Sequence, residues 1–183
     1  MTHDLTTSAI ERQNVLNNSM AIPRIQEALD VEAFQFEGKY YLTKQMVADY
    51  YEVDTRTIDN YLASNEVELK HNGYILCKGN RLKNLKLQFA HEKTFVSKIT
   101  QLGLFDFRAF LNVGMLLSES EKAKKVRSLI LDIVITTINE KAGGGTKYIN
   151  WRDREFLPAA LQEDNYRKNL TSSINEYVSG HPT

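Results

Sequence analysis

Thr43 to Leu62 reads TKQMVADYYEVDTRTIDNYL, and the fold of the chain turns on whether this stretch holds two helices joined by a tight turn. Thr43 and Asp54 stand where side-chain oxygens would cap two helix starts. Val47 and Tyr51 give the first helix an apolar side, and Ala48 is small enough to let two backbones cross closely. Val53 supplies an apolar contact just after the turn. Ile58, Tyr61 and Leu62 recur at i, i+3 and i+4, so the second helix has one inward face. The turn position where glycine is common is Glu52, and a left-handed backbone there carries a cost for any residue with a Cβ.

The outward face of the second helix then carries Thr55, Arg56, Asp59 and Asn60. In a DNA major groove, arginine pairs bidentately with guanine and asparagine with adenine. Thr55, at the helix start, suits a phosphate or a thymine methyl. Asp59 repels phosphates unless it accepts from cytosine or pairs with Arg56. Directly after comes EVELKHNGYILC (Glu66–Cys77), where Asn72-Gly73 is a strong two-residue hairpin signal. This predicts a wing with Lys70 and His71 near its tip. RLKNLKLQFA (Arg81–Ala90) suits either a helix or a strand.

Charge points the same way. The formal net charge is zero, yet residues 69–98 hold seven bases (Lys70, Lys78, Arg81, Lys83, Lys86, Lys93 and Lys98) against the single acid Glu92. A block of +6 beside a helix-turn-helix pattern is the footprint of a phosphate-binding surface. The bland alternatives are a solvated lysine-rich surface, and helices that pack together without touching DNA. The expected roles are Arg56 and Asn60 on bases, Thr55 and Lys70 on the backbone, and Lys78, Arg81, Lys83 and Lys86 as the nonspecific electrostatic contribution.

Outside that centre, AFQFEGKYYLT (Ala33–Thr43) reads as a short hairpin around Glu37-Gly38. Residues 1–32 are a frayed tail or short helices, punctuated by Pro23. LFDFRAFLNVGMLL (Leu104–Leu117) reads as a buried helix. Ser118 and Glu121 have the spacing of a capping box. Val126, Ile130, Ile133 and Thr137 share the face of the helix that follows. Gly143-Gly144-Gly145 stops it, and a charged, aromatic-dotted tail with helical content follows. The predicted class is α+β, a winged helix-turn-helix unit with small hairpins followed by an α-helical region. Its parts are an N-terminal segment (1–32), the winged unit (33–90), a helical region (91–142), and a Gly-rich loop with a C-terminal helical tail (143–183).

Other function classes find little support. The 183 residues are 42% hydrophobic, enough for a real core. No apolar run reaches the ~18–20 residues that span a bilayer, so no membrane association is expected. The first twenty residues lack the pattern of a signal peptide. With Cys77 the only cysteine, a reducing, cytoplasmic setting is the expectation. His3, His71, His91 and His181 are scattered without metal-ligand spacing. Cys77 reads as a buried structural thiol. GGGTK (Gly143–Lys147) lacks the frame of a phosphate loop. The charges of WRDREF (Trp151–Phe156) suit a first helical turn, and Arg108 and Arg127 are expected to pair with acids such as Asp106 or Asp132. No catalytic residue, cofactor or metal is expected.

YYLTKQMVADYYEVDTRTIDNYL, then LFDFRAFLNVGMLLSESEKAKKVRSLILDIVI, then GGGTKYINWRDREFL resemble the bacterial virulence protein RhuM family, which is related to the phage Bro-N and KilA-N class of DNA-binding domains. The resemblance covers roughly residues 33 to 160 and is strongest from Leu104 to Leu157. It implies a DNA-binding regulator of prophage or mobile-element type, acting on double-stranded DNA. Because some members sit beside Fic/DOC-type toxins, it also implies an alternative, an antitoxin-like protein-interaction module. Where the family often carries a basic Arg-x-x-Ser-Lys segment, this chain has LLSESEKAKK (Leu116–Lys125). It stops at Thr183, soon after the resembling part, so a longer C-terminal function is not expected within it. One such unit reads few base pairs, so a homodimer built on the helices between Leu104 and Ile138 is expected.

Overall fold

The computed structural model describes residues 4–89 and 98–141. Within them the chain is α+β, with eight helices and one four-stranded antiparallel sheet. The described part of the N-terminal segment takes the second of its two expected forms, short helices. It forms α1 (Ala9–Leu16) and α2 (Ala21–Leu29), which bury Val15, Leu16, Ala21, Ile25 and Leu29 in the main core. Pro23 falls in the first turn of α2, where its missing N–H breaks no helical hydrogen bond.

β1 (Phe34–Phe36) and β2 (Lys39–Thr43) pair as the predicted hairpin, with Phe36 opposite Lys39. Its turn residues Glu37 and Gly38 have φ of 50° and 76°, the two positive values a two-residue hairpin loop asks for. α3 (Lys44–Tyr51) and α4 (Thr55–Ser64) follow, matching the helix, turn and helix read from the opening stretch.

The second predicted hairpin does not form. Glu66–His71 is instead a short helix, α5. Its acids Glu66 and Glu68 lie in the first turn and Lys70 and His71 in the last, which suits the helix dipole. Lys70 pairs with Glu66 one turn back, and Leu69 is fully buried. Asn72 has φ of −95° and only Gly73 is left-handed, so Asn72-Gly73 ends a helix and does not close a hairpin. β3 (Tyr74–Lys78) then finds its partner much later in the chain, in β4 (Gln101–Phe105).

Between those strands lies α6 (Gly79–Gln88), which settles the ambiguous segment as helix. The run read as one buried helix from Leu104 is divided. Leu104 and Phe105 belong to β4, Asp106 caps, and α7 spans Phe107–Leu116. α8 (Glu121–Lys141) closes the described chain and buries Val126, Ile130, Ile133 and Thr137 as predicted. Its cap is not Ser118. Ser120 accepts from the Ala123 amide at 3.0 Å and donates to the Tyr51 carbonyl at 2.6 Å. Arg127 donates to the carbonyls of Gly114 and Leu117 at the end of α7, where a cation meets the negative end of the helix. Arg108 donates to Asn17 at 3.1 Å.

The strand order is β1-β2-β4-β3. Leu42 and Phe105 face the large core formed with the helices, whereas Tyr41, Cys77 and Leu104 face a smaller core closed by Leu82 and Leu85 of α6. β4 lies between β2 and β3, so the segment 33–90 and the helical region 91–142 share one sheet and one main core. The Gly-rich loop and the C-terminal tail lie outside the described residues, as do Trp151, Lys93, His91 and His181.

Candidate nucleic-acid interface

Both predicted caps of the helix pair are present. The Thr43 hydroxyl accepts from the Met46 amide at 3.3 Å, and the Asp54 carboxylate accepts from the Arg56 amide at 2.7 Å. Glu52 takes the left-handed conformation, φ 55° and ψ 46°, and the Val53 amide closes the turn on the Ala48 carbonyl at 3.0 Å. Val47, Ala48 and Tyr51 are fully buried. The Tyr51 hydroxyl donates to the Phe110 carbonyl at 3.0 Å, and its ring stacks on Phe110. Burial pushes its ionisation well above the usual tyrosine range. A Cβ on Gly114 would lie 2.3 Å from the Tyr51 hydroxyl, so the glycine of α7 makes room for α3.

α4 is therefore held rigidly at its inner side and open at its outer side. Ile58 is buried, while Arg56 and Asn60 are exposed one turn apart and Thr55 is partly covered at the helix start. At the far end the Tyr61 hydroxyl donates to Glu119 at 2.7 Å and accepts from the Ser118 amide at 3.3 Å, tying α4 to the loop between α7 and α8. Asp59 does not pair with Arg56. Both its oxygens receive the Lys44 ammonium at 2.8 Å.

The remaining predicted contacts divide. Lys70 sits on α5, paired with Glu66, and not at a hairpin tip. Lys78 is exposed at the end of β3, and Lys83 is exposed on α6. The Arg81 guanidinium meets Glu37 at 2.7 Å and lies 5.9 Å from the centre of the Phe36 ring. Lys86 donates to the Ile99 carbonyl at 2.9 Å. Thr55, Arg56 and Asn60 thus form one surface. Arg81, Lys83 and Lys86 are on α6, with Lys78 just before it at the end of β3. Tyr74 marks the distance between the two groups. Burial raises its ionisation, and the negative charge of Asp59 adds to this, so the α4 surface is near the start of β3. Lys78 is at the other end of the strand, about 13 Å away at ~3.3 Å per residue.

Lys44 and Tyr61 were not found by sequence reasoning. Lys44 meets Asp59 across fifteen residues and a turn, where no local spacing signals a pair. Tyr61 reads as core because its ring faces inward, but its hydroxyl reaches an exposed acid. Cys77 is buried in β3 and burial pushes its thiol up, which does not suit a nucleophile. Among the described residues, no three His, Cys, Asp or Glu side chains group as metal ligands, and no helix is long and apolar enough to cross a membrane. A cavity of about 340 Å³ opens between α2, β2 and α7, lined by Gln26, Val31, Glu32, Ala33, Tyr40, Leu42 and Phe107, apart from the α4 surface.

No protein-family model, curated protein or solved structure matches the chain.

Proposed function

We propose that the chain is a sequence-specific DNA-binding protein, a transcriptional regulator of mobile-element type, whose helix α4 enters the major groove. One observation carries this. A capped helix, anchored by Ile58 and Tyr61 behind a tight turn, exposes Arg56 and Asn60 side by side on its free face. These are the two side-chain types with the best geometry for guanine and adenine edges. The resemblance to the RhuM family favours the same function. On this reading the wing is not the 66–77 segment; α6 (Gly79–Gln88), which follows β3 and carries Lys83 and Lys86, takes its place beside the DNA. This reading makes the unit a helix-turn-helix supported by a basic helix where the predicted wing would lie. Ile135 and Ile138, 47% and 55% exposed on α8, give a homodimer on two half-sites an apolar seam.

Selection of bound duplexes from a random library tests this. The wild type enriches a short half-site, and Arg56→Ala or Asn60→Ala removes one position of it. If about five phosphates are neutralised, log K falls against log[salt] with a slope near −4 to −5. Retained binding with a slope near zero sinks the assignment.

One observation favours a second reading, a protein-interaction module such as a partner of a Fic/DOC-type toxin. Lys70 and Arg81 are already engaged by Glu66 and Glu37 within the chain, which weakens the basic surface. Charge reversal at the exposed Lys78 and Lys83 separates the two. It cripples DNA binding and leaves capture of a protein partner intact.

A further inference from the structure

Asp59 stands one residue before Asn60 and one turn beyond Arg56, at the edge of the surface assigned to base reading. A carboxylate there opposes the approach of phosphates. Its charge is balanced from the other helix of the pair, because Lys44, the first residue of α3, places its ammonium 2.8 Å from both carboxylate oxygens. The pair is open to solvent, Lys44 at 38% and Asp59 at 53% exposure, and ion pairs this exposed are weak. It is held well enough to neutralise Asp59 in the free protein, yet exchanges easily for a better partner.

Resting on the DNA reading above, we propose that Asp59 is a specificity-determining residue that reads cytosine by exchanging Lys44 for the cytosine 4-amino group, while Lys44 passes to the phosphate backbone. The chemistry singles out this base. In the major groove cytosine presents a donor alone, whereas adenine sets its N7 acceptor beside its amino group, and guanine and thymine present acceptors that repel a carboxylate. The lysine freed by the exchange has a flexible four-carbon stem, and an ammonium acts as a point charge on phosphate. A correct base therefore adds two contacts at once, and a wrong base leaves Lys44 and Asp59 joined. The chain carries its own neutralising counter-charge for the one acid on its base-reading helix.

Duplex selection with the wild type, Asp59→Ala and Lys44→Met tests the exchange. The wild-type motif holds one C·G position that becomes degenerate in Asp59→Ala, while the positions set by Arg56 and Asn60 stay. Replacing that cytosine weakens wild-type binding about 5- to 150-fold and leaves Asp59→Ala binding unchanged. Lys44→Met keeps the cytosine but lowers the salt slope by about 0.9. Should Asp59→Ala fail to fold, Asp59→Asn preserves the size of the side chain and shifts the preference at that position from cytosine to adenine. An Asp59→Ala motif identical to the wild type, or a uniform gain of affinity for every sequence, overturns the inference alone. A wild type that enriches no motif overturns the DNA reading, and the inference with it.

Discussion

At the level of single residues, two backbone positions hold more of the fold than their side chains suggest. Glu52 adopts φ 55° to close the turn between α3 and α4, a conformation that costs an L-residue roughly 1–2 kcal/mol. Glu52→Gly removes that strain but adds unfolded-state entropy, so a net stabilisation of about 0.5–1 kcal/mol is expected in urea melts. Gly73 is the opposite case. Its φ is +104°, and a Cβ would lie 2.0 Å from the Asp106 carboxylate. That carboxylate caps α7 through the Ala109 amide at 2.9 Å, and burial raises its ionisation. Gly73→Ala should lower stability by about 3 kcal/mol. A double-mutant cycle with Asp106→Ala should show strong coupling, because the clash and the cap share one group. The glycine was legible in the sequence as a turn signal, but its turn type was not, since only the distant Asp106 explains why that site excludes a Cβ.

At the level of elements, α1 is fastened to α5 by a nearly dry ion pair. Arg12, 4% exposed, meets Glu68 through Nε and Nη2, each at 2.7 Å, and spends Nη1 on the Leu5 carbonyl at 2.7 Å. Removing the guanidinium strands an acid in a poorly solvated place, so Arg12→Ala should cost about 2–3 kcal/mol in the urea midpoint. Burial pushes the Glu68 carboxyl up, but the Arg12 hydrogen bonds and charge, with Asn112 beside it, leave it below its ordinary value. A depressed carboxyl contributes stability that is present above its unfolded value and lost as pH falls through the folded one. The melting temperature should therefore drop as pH goes below about 4.5, the ordinary value of the group. Glu68→Gln should flatten that part of the profile. Unchanged acid sensitivity in Glu68→Gln would place the effect elsewhere. This pair also suits a helix over Glu66–His71. An extended segment would send Glu68 and Leu69 to opposite faces, whereas the helix puts Glu68 beside Arg12 and buries Leu69.

At the level of the whole molecule, β4 joins what the sequence divides. It comes after α6 in the chain, yet it separates β2 from β3 and feeds Leu104 and Phe105 into the two cores. A fragment of residues 33–90 would leave β2 and β3 without their shared partner and Tyr51 without Phe110. It is expected to show no cooperative thermal transition by circular dichroism, whereas the full chain melts as one unit. A cooperative melt of the fragment would contradict the shared sheet.

Local chemistry determined much of this protein. The caps at Thr43 and Asp54, the left-handed Glu52, the Glu37-Gly38 hairpin, the inward Ile58 and the buried stripe of α8 follow from neighbours within a few residues, so spacing alone reveals them. Tertiary structure decided the rest. Where the Glu66–His71 helix docks is fixed in part by Arg12, fifty-six residues away. β3 can pair only after β4 arrives, and the charge state of the α4 surface depends on Lys44 across the turn. The physical reason is common to all three. Capping and periodicity are near-neighbour energies written along the chain, whereas strand partners and ion pairs between elements depend on distances that exist only once the core has closed.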